Sequence, residues 1–147
     1  MTAREYLSEV QRLQTIIEQK QERIKEIRES ASTVRAVRYD LEKVQGGGHS
    51  DKIGESVAKI VDLEKEVEND MMKLLYRQHE IIGQIHKLDN PKHIKILYKR
   101  YIEGKDFQTI ADEIDLTYQY ALMLHGKALK AFEAANKEIL QKEGISA

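Results

Sequence analysis

From the start of the chain, one series of positions advances by alternating steps of four and three: Tyr6, Val10, Leu13, Ile17, Lys20, Ile24, Ile27, Ala31, Val34, Arg38 and Leu41. After the stretch QGGGHSD the rhythm resumes through Ile53, Val57, Ile60, Glu64, Val67, Met71, Leu74, Gln78, Ile81, Ile85 and Leu88. A sustained 3–4 spacing predicts helices that share a coiled-coil seam. Gly46, Gly47 and Gly48 interrupt it, because glycine loses the most backbone entropy in a helix. Two equal tracts around such a break predict an antiparallel helical hairpin over residues 1–89. Four seam positions are polar: Lys20, Arg38, Glu64 and Gln78. Polar layers weaken a seam but fix its register. One register sets Lys20 opposite Gln78 and Arg38 one layer from Glu64.

Apolar residues also flank that seam, at Leu7, Ile16, Val37, Val44, Val61, Leu63, Leu75 and Ile82. Two helices cannot cover so wide an apolar band. The excess either packs against the C-terminal domain or drives assembly into a homodimer or larger homo-oligomer, for instance a four-helix bundle. Leu7, Ile16, Val37, Val61, Leu63, Leu75 and Ile82 are the candidate assembly residues.

A second pattern begins at LDNPKH. Asn90 suits a helix N-cap and Pro91 the first helical position, so a domain over residues 90–147 is expected. Ile94, Leu97, Tyr98, Tyr101 and Ile102 form one apolar face, and Gly104 ends the helix. Asp106 caps the next helix, whose buried side starts with Phe107 and Ile110. A last helix is expected from about Tyr118 towards Leu140. Ala111 is small where two helices would cross, with Ile110, Ile114 and Leu116 facing Ala121 and Leu124. Asp115 takes the turn position that favours left-handed backbone, which Asp and Asn tolerate better than most residues. Thr117 is a suitable N-cap. These features predict a helix-turn-helix. The fold class is therefore all-α: a long antiparallel coiled-coil hairpin followed by a small helix-turn-helix domain.

Composition narrows the chemistry. Formal net charge is -1 with 33% charged residues, so any nucleic-acid surface must arise from local charge segregation. Cysteine is absent, which removes disulfides, thiol catalysis and thiolate zinc sites, and suits a reducing cytoplasm. No apolar run reaches a membrane span, and MTAREYLSEV lacks the apolar centre of a signal peptide. His79, His86 and His93 recur every seven residues, a rise of roughly 10.5 Å per step in a helix, too far apart to share one ion. No nucleophile has an adjacent base, and GGGHSDK lacks the ending of a phosphate loop. Neither an enzyme nor a metal or cofactor site is expected.

The segment LYKRYIEGKDFQTIADEIDLTYQYALMLHGKALKAF resembles region four of sigma-70-type factors. The resemblance lies in Arg100, Tyr101, Glu103 and Gly104, in Ile110, Ala111, Glu113 and Ile114, and in Ala128, Leu129 and Phe132. The chain as a whole is similar to small phage and prophage proteins of Gram-positive bacteria related to the RinA and ArpU late-gene regulators. The similarity rests on TAREYL, the glycine-rich break, KIVDLEKEV and YALMLHGKAL. It implies a transcription regulator of the bacterial host cytoplasm that binds double-stranded promoter DNA, with RNA polymerase as a second partner.

A recognition helix offers its outward N-terminal residues to base edges in the major groove. Here those are Thr117, Tyr118, Gln119, Leu122 and Met123. Gln119 can pair with adenine, Thr117 can bond a base or phosphate, and Leu122 and Met123 can touch a thymine methyl. Tyr118 can stack or bond a phosphate. Family members commonly carry Arg or Lys at the positions of Tyr118, Met123 and Gly126, and this sequence does not. Between Asn90 and Lys130, seven Lys or Arg residues face five Asp or Glu residues, a weak positive bias. Lys127 and Lys130 are the expected phosphate contacts, with Arg100 as a further basic candidate. The rival expectation is a protein–protein adaptor that binds polymerase or another regulator without reading bases.

Overall fold

The computed structural model describes residues 1–42 and 50–146, and the side chains of residues 1–32 and 52–144. All the regular elements among them are helical. No helix among them is long and apolar enough to cross a membrane. The glycine break at Gly46–Gly48 and the side chains of Val34, Val37, Arg38, Leu41 and Val44 lie outside the described residues.

Helix α1, Ala3–Leu7, starts on a capping box: the Thr2 hydroxyl accepts from the Glu5 amide and the Glu5 carboxylate accepts from the Thr2 amide. Ser8 separates it from α2, Glu9–Glu42, and α3 spans Ser50–Ile85. Helix α4, Pro91–Leu97, begins as expected, with Asn90 accepting from the Lys92 amide and Pro91 in the first turn. It runs on into a π-helical turn, Tyr98–Ile102, that Gly104 terminates at φ +71. Asp106 caps α5, Phe107–Glu113, and Thr117 caps α6, Tyr118–Ala135. The single last helix expected from the sequence is two, because α7, Lys137–Ser146, starts afresh after Asn136. Asn136 is buried and its side-chain amide donates back to the Phe132 carbonyl. Side-chain bonds of this kind compete with helical backbone bonds and end helices.

The chain forms two compact units, residues 1–13 with 74–147, and residues 14–73. The first therefore takes in both ends of the heptad tracts, and the boundary expected between residues 89 and 90 falls inside it. Burial explains the difference. Tyr6, Leu7, Val10, Ile81, Ile85 and Leu88 share one core with Ile96, Leu97, Tyr101, Ile110, Ala128, Phe132 and Leu140. The Tyr6 and Phe132 rings lie 6.1 Å apart, centroid to centroid. Arg77 ties the periphery: its Nε meets Glu9 at 3.1 Å, its Nη1 meets Glu143 at 3.2 Å, and its guanidinium lies over the Tyr6 ring. Leu7, expected at an assembly surface, is fully buried in this core. It met the first of the two fates open to the flanking residues, packing against the C-terminal helices.

In the second unit, Ile17, Ile24 and Ile27 of α2 and Val67 of α3 are buried. Lys20 pairs with Asp70 at 2.6 Å and Glu66 at 3.5 Å, and Arg28 pairs with Glu64. One helix ascends as the other descends, so within this unit the two segments run antiparallel. Of the expected polar layers, the one at Lys20 differs, since Lys20 meets Asp70 and Glu66; Glu64 pairs with Arg28, and the Arg38 side chain lies outside the described residues. The inward side of α3 also differs. Ile60 and Val67 face inward as expected, but their companions are Leu63 and Asp70, while Val57 and Met71 are 52% and 45% exposed. Apolar pattern alone favours Val57 and Met71. The Lys20–Asp70 pair holds the helix turned the other way, since a partly buried ammonium needs a carboxylate beside it.

Leu7→Ala is expected to destabilise the first unit by about 2–5 kcal/mol, the usual range for emptying a packed leucine site. Urea unfolding should show the loss, and hydrogen exchange at the amides of Ala121–Ala128 should quicken with it. Unchanged exchange in α6 would contradict a shared core.

Candidate nucleic-acid interface

Helices α5 and α6 are joined by a turn of four residues. Ile114 donates its amide to the Ile110 carbonyl at 3.0 Å, and Leu116 donates to the Ala111 carbonyl at 2.9 Å. Between them Asp115 adopts φ 56, the left-handed conformation expected at that position. Thr117 is extended, and its hydroxyl accepts from the Tyr120 amide at 3.1 Å. The inner faces are narrow where the helices meet: Ile110 and Ala111 on α5, Ala121, Leu124 and Ala128 on α6, all buried. Small side chains at such positions allow close approach of the backbones.

The outer face of α6 is open. Gln119, Met123, Gly126 and Lys130 follow helical spacing along one line, with Leu122 and Lys127 beside it. Tyr118, Leu122 and Met123 are 47%, 39% and 49% exposed, and Thr117, Gln119, Lys127 and Lys130 are also exposed. A Cβ placed on Gly126 meets nothing within 4 Å, so the middle of this face has room for a longer side chain. The structure thus brings seven of the eight expected DNA-contacting residues onto the exposed α6 and its cap.

Arg100 is the exception. Its guanidinium lies over the Phe107 ring, 4.5 Å from the centroid, and its Nη1 donates to the Lys105 carbonyl. The Arg100 carbonyl in turn accepts from the Gln11 side chain. This arginine fastens the π turn to α5 and is not presented outward. Its neighbours are also occupied: Glu113 holds Lys99 at 2.8 Å and Lys105 at 2.7 Å, and Lys105 also reaches Glu103. Hydrogen bonds from Lys105 and Lys99 keep the Glu113 carboxyl below its ordinary range. Among the described residues, no ion pair holds Lys127 or Lys130 of α6, nor the exposed Lys92 and Lys95 of α4.

Beneath this face is a polar contact that apolar pattern does not announce. His125 is buried, and its Nε2 shares a hydrogen bond of 2.7 Å with the Tyr101 hydroxyl. The Phe107 ring meets the imidazole edge-on at 4.7 Å. Burial, then the charges of Arg4 and Arg100, lower the His125 pKa to about 4. Burial likewise raises that of Tyr101. A sequence signal existed: His125 lies four residues after Ala121 and three before Ala128, on the inward side. His79 and His86 are exposed and His93 half-buried.

The class defined by these observations is an all-α protein whose C-terminal helices turn one face of α6 outward over a shared core. Over residues 33–133 the sequence matches a family described as protein of unknown function (DUF1492), and the chain belongs to that family. The matched segment contains α5, the turn and all but the last two residues of α6. No curated protein and no solved structure gives a significant match.

His125 makes stability pH-dependent. Its folded pKa of about 4 lies below the ordinary 6.5, so the folded state binds less proton than the unfolded state between those values. Stability is full above pH 6.5 and falls as the pH drops towards 4, by of order 3 kcal/mol in total. His125→Gln should flatten that decline in thermal or urea melts. An equal decline in both proteins would contradict a buried neutral imidazole.

Proposed function

We propose that the protein is a sequence-specific DNA-binding transcription regulator of phage or prophage type, acting in the cytoplasm of a bacterial host. The observation that carries this reading is the exposed line Gln119–Met123–Gly126–Lys130 on a helix held by a tight turn against a shorter one. Two uncommitted lysines lie on the same helix. The likeness of Arg100–Phe132 to sigma region four, and of the chain to the RinA and ArpU regulators, supports it. In this reading α5 and α6 form a helix-turn-helix and α6 lies in the major groove. Gln119 pairs with adenine, Leu122 and Met123 meet thymine methyls, and Thr117, Tyr118, Lys127 and Lys130 contact phosphates or bases. Arg100 acts by positioning α5 rather than by touching DNA. With few cations on the reading face, one copy binds weakly. Linking two copies, or docking on RNA polymerase, raises the effective concentration at a promoter.

One observation favours a second reading, the adaptor. Tyr118, Tyr120, Leu122 and Met123 together expose apolar surface at the start of α6 with no lysine or arginine among them. Such a surface suits a protein partner, RNA polymerase or another regulator, as well as it suits bases.

Selection of bound fragments from a genomic library separates the two. The wild type should enrich a common sequence, and Gln119→Ala with Lys127→Ala should lose it; absence of enrichment with retention of polymerase would favour the adaptor. Affinity should fall as salt rises, and Lys127→Ala/Lys130→Ala should reduce that log–log slope by about 2. Gly126→Lys tests the open centre of the face. It should tighten DNA binding and steepen the salt dependence, and stabilise α6 by about 0.5–1 kcal/mol, since glycine is poor in helix interiors. A salt-independent affinity would overturn the phosphate contacts.

A further inference from the structure

Helix α3 carries a second 3–4 series that its own hairpin leaves uncovered: Val61, Lys65, Glu68 and Met72. Val61 and Met72 are 42% and 65% exposed, and Lys65 and Glu68 are exposed as well. Val57 and Met71 flank the series, both exposed. Among the described residues no ion pair engages Lys65 or Glu68, although they lie three positions apart on one helix. We infer that this face is a self-complementary interface, and that its occupant is the same face of a second copy of the chain, running antiparallel.

The charges select that arrangement. A two-fold axis between Glu66 and Val67 sets Lys65 opposite Glu68 of the partner, and Glu68 opposite the partner's Lys65. The same axis sets Val61 against the partner's Met72, and Met72 against the partner's Val61. Two central ionic layers are thus closed at each end by an apolar layer, which is the layer pattern of an antiparallel coiled coil. A parallel, in-register pairing of the same face would set Lys65 against Lys65 and Glu68 against Glu68, and like charges there are destabilising. Two-fold symmetric dimers use the same patch twice, as this face would. Polar central layers limit the strength of the contact and fix its register. The pairing rests on α3 alone, so it stands or falls independently of DNA binding.

Sedimentation equilibrium of the full chain should show a dimer. Lys65→Glu and Glu68→Lys, each placing like charges opposite, should raise the dissociation constant by about tenfold or more, and the double swap Lys65→Glu/Glu68→Lys should restore it to within about threefold. The chain has no cysteine, so cross-linking gives an independent readout. Val61→Cys/Met72→Cys should form a disulfide-linked dimer, whereas Val61→Cys alone should not, because the two copies of position 61 would be about 16 Å apart. A wild type monomeric throughout, a double swap that fails to restore pairing, or efficient cross-linking of Val61→Cys alone would each overturn the antiparallel pairing.

Discussion

Burial of the inner face of α6 is the constraint on which the first unit depends. Ala121, Leu124, His125, Ala128 and Phe132 lie on one side of that helix and are all buried. Three neighbours cover them: α5 through Ile110 and Ala111, the α4–π segment through Ile96, Leu97 and Tyr101, and α1 through Ala3, Tyr6 and Leu7. An α-helix with one side so fixed has no freedom to rotate, so the residues opposite are fixed in direction too. The exposed line from Gln119 to Lys130 is a consequence of what lies under it. A surface that must be held in one orientation against a ligand needs this kind of support from behind.

The same packing sorts the basic residues. By composition the C-terminal segment holds a loose set of lysines and one arginine. In the folded unit, Glu113 draws in Lys99 and Lys105, and Phe107 draws in Arg100. These charges stitch the π turn, the loop after it and α5 together and are largely spent on one another. Exposed ion pairs contribute little stability each, but they decide which cations remain available to a partner. Lys127 and Lys130 of α6 remain, as do Lys92 and Lys95 of α4. This makes a modest electrostatic surface.

The second unit shows how a single ionic pair can orient a helix. The apolar pattern of α3 favours a seam through Val57 and Met71, yet the side that faces α2 runs through Leu63 and Asp70. Lys20 accounts for the difference, because its ammonium sits partly covered and takes Asp70 and Glu66 as partners. Rotating α3 to suit Lys20 turns Val57, Val61, Met71 and Met72 outward. The exposed apolar residues of this helix and its half-buried polar contact therefore have one cause.

Features set by neighbouring residues were legible in the sequence. Asn90–Pro91, Asp106 and Thr117 start helices because their side chains or ring satisfy the first turn locally, and Asp115 turns left-handed because its short side chain tolerates it. The all-helical class and the exposure of Thr117, Gln119 and Lys127 follow from the same local periodicity. What periodicity lacks is any knowledge of what lies opposite. The burial of Leu7, the inward turn of Asp70, the withdrawal of Arg100 onto Phe107, the neutral His125 against Tyr101 and the break at Asn136 all depend on residues distant in sequence or on depth of burial. The sequence by itself determined where helices begin and which side of each is apolar. Only the tertiary structure decided which polar residues that side could take in, because a buried charge or imidazole is tolerated solely where a partner from another segment meets it.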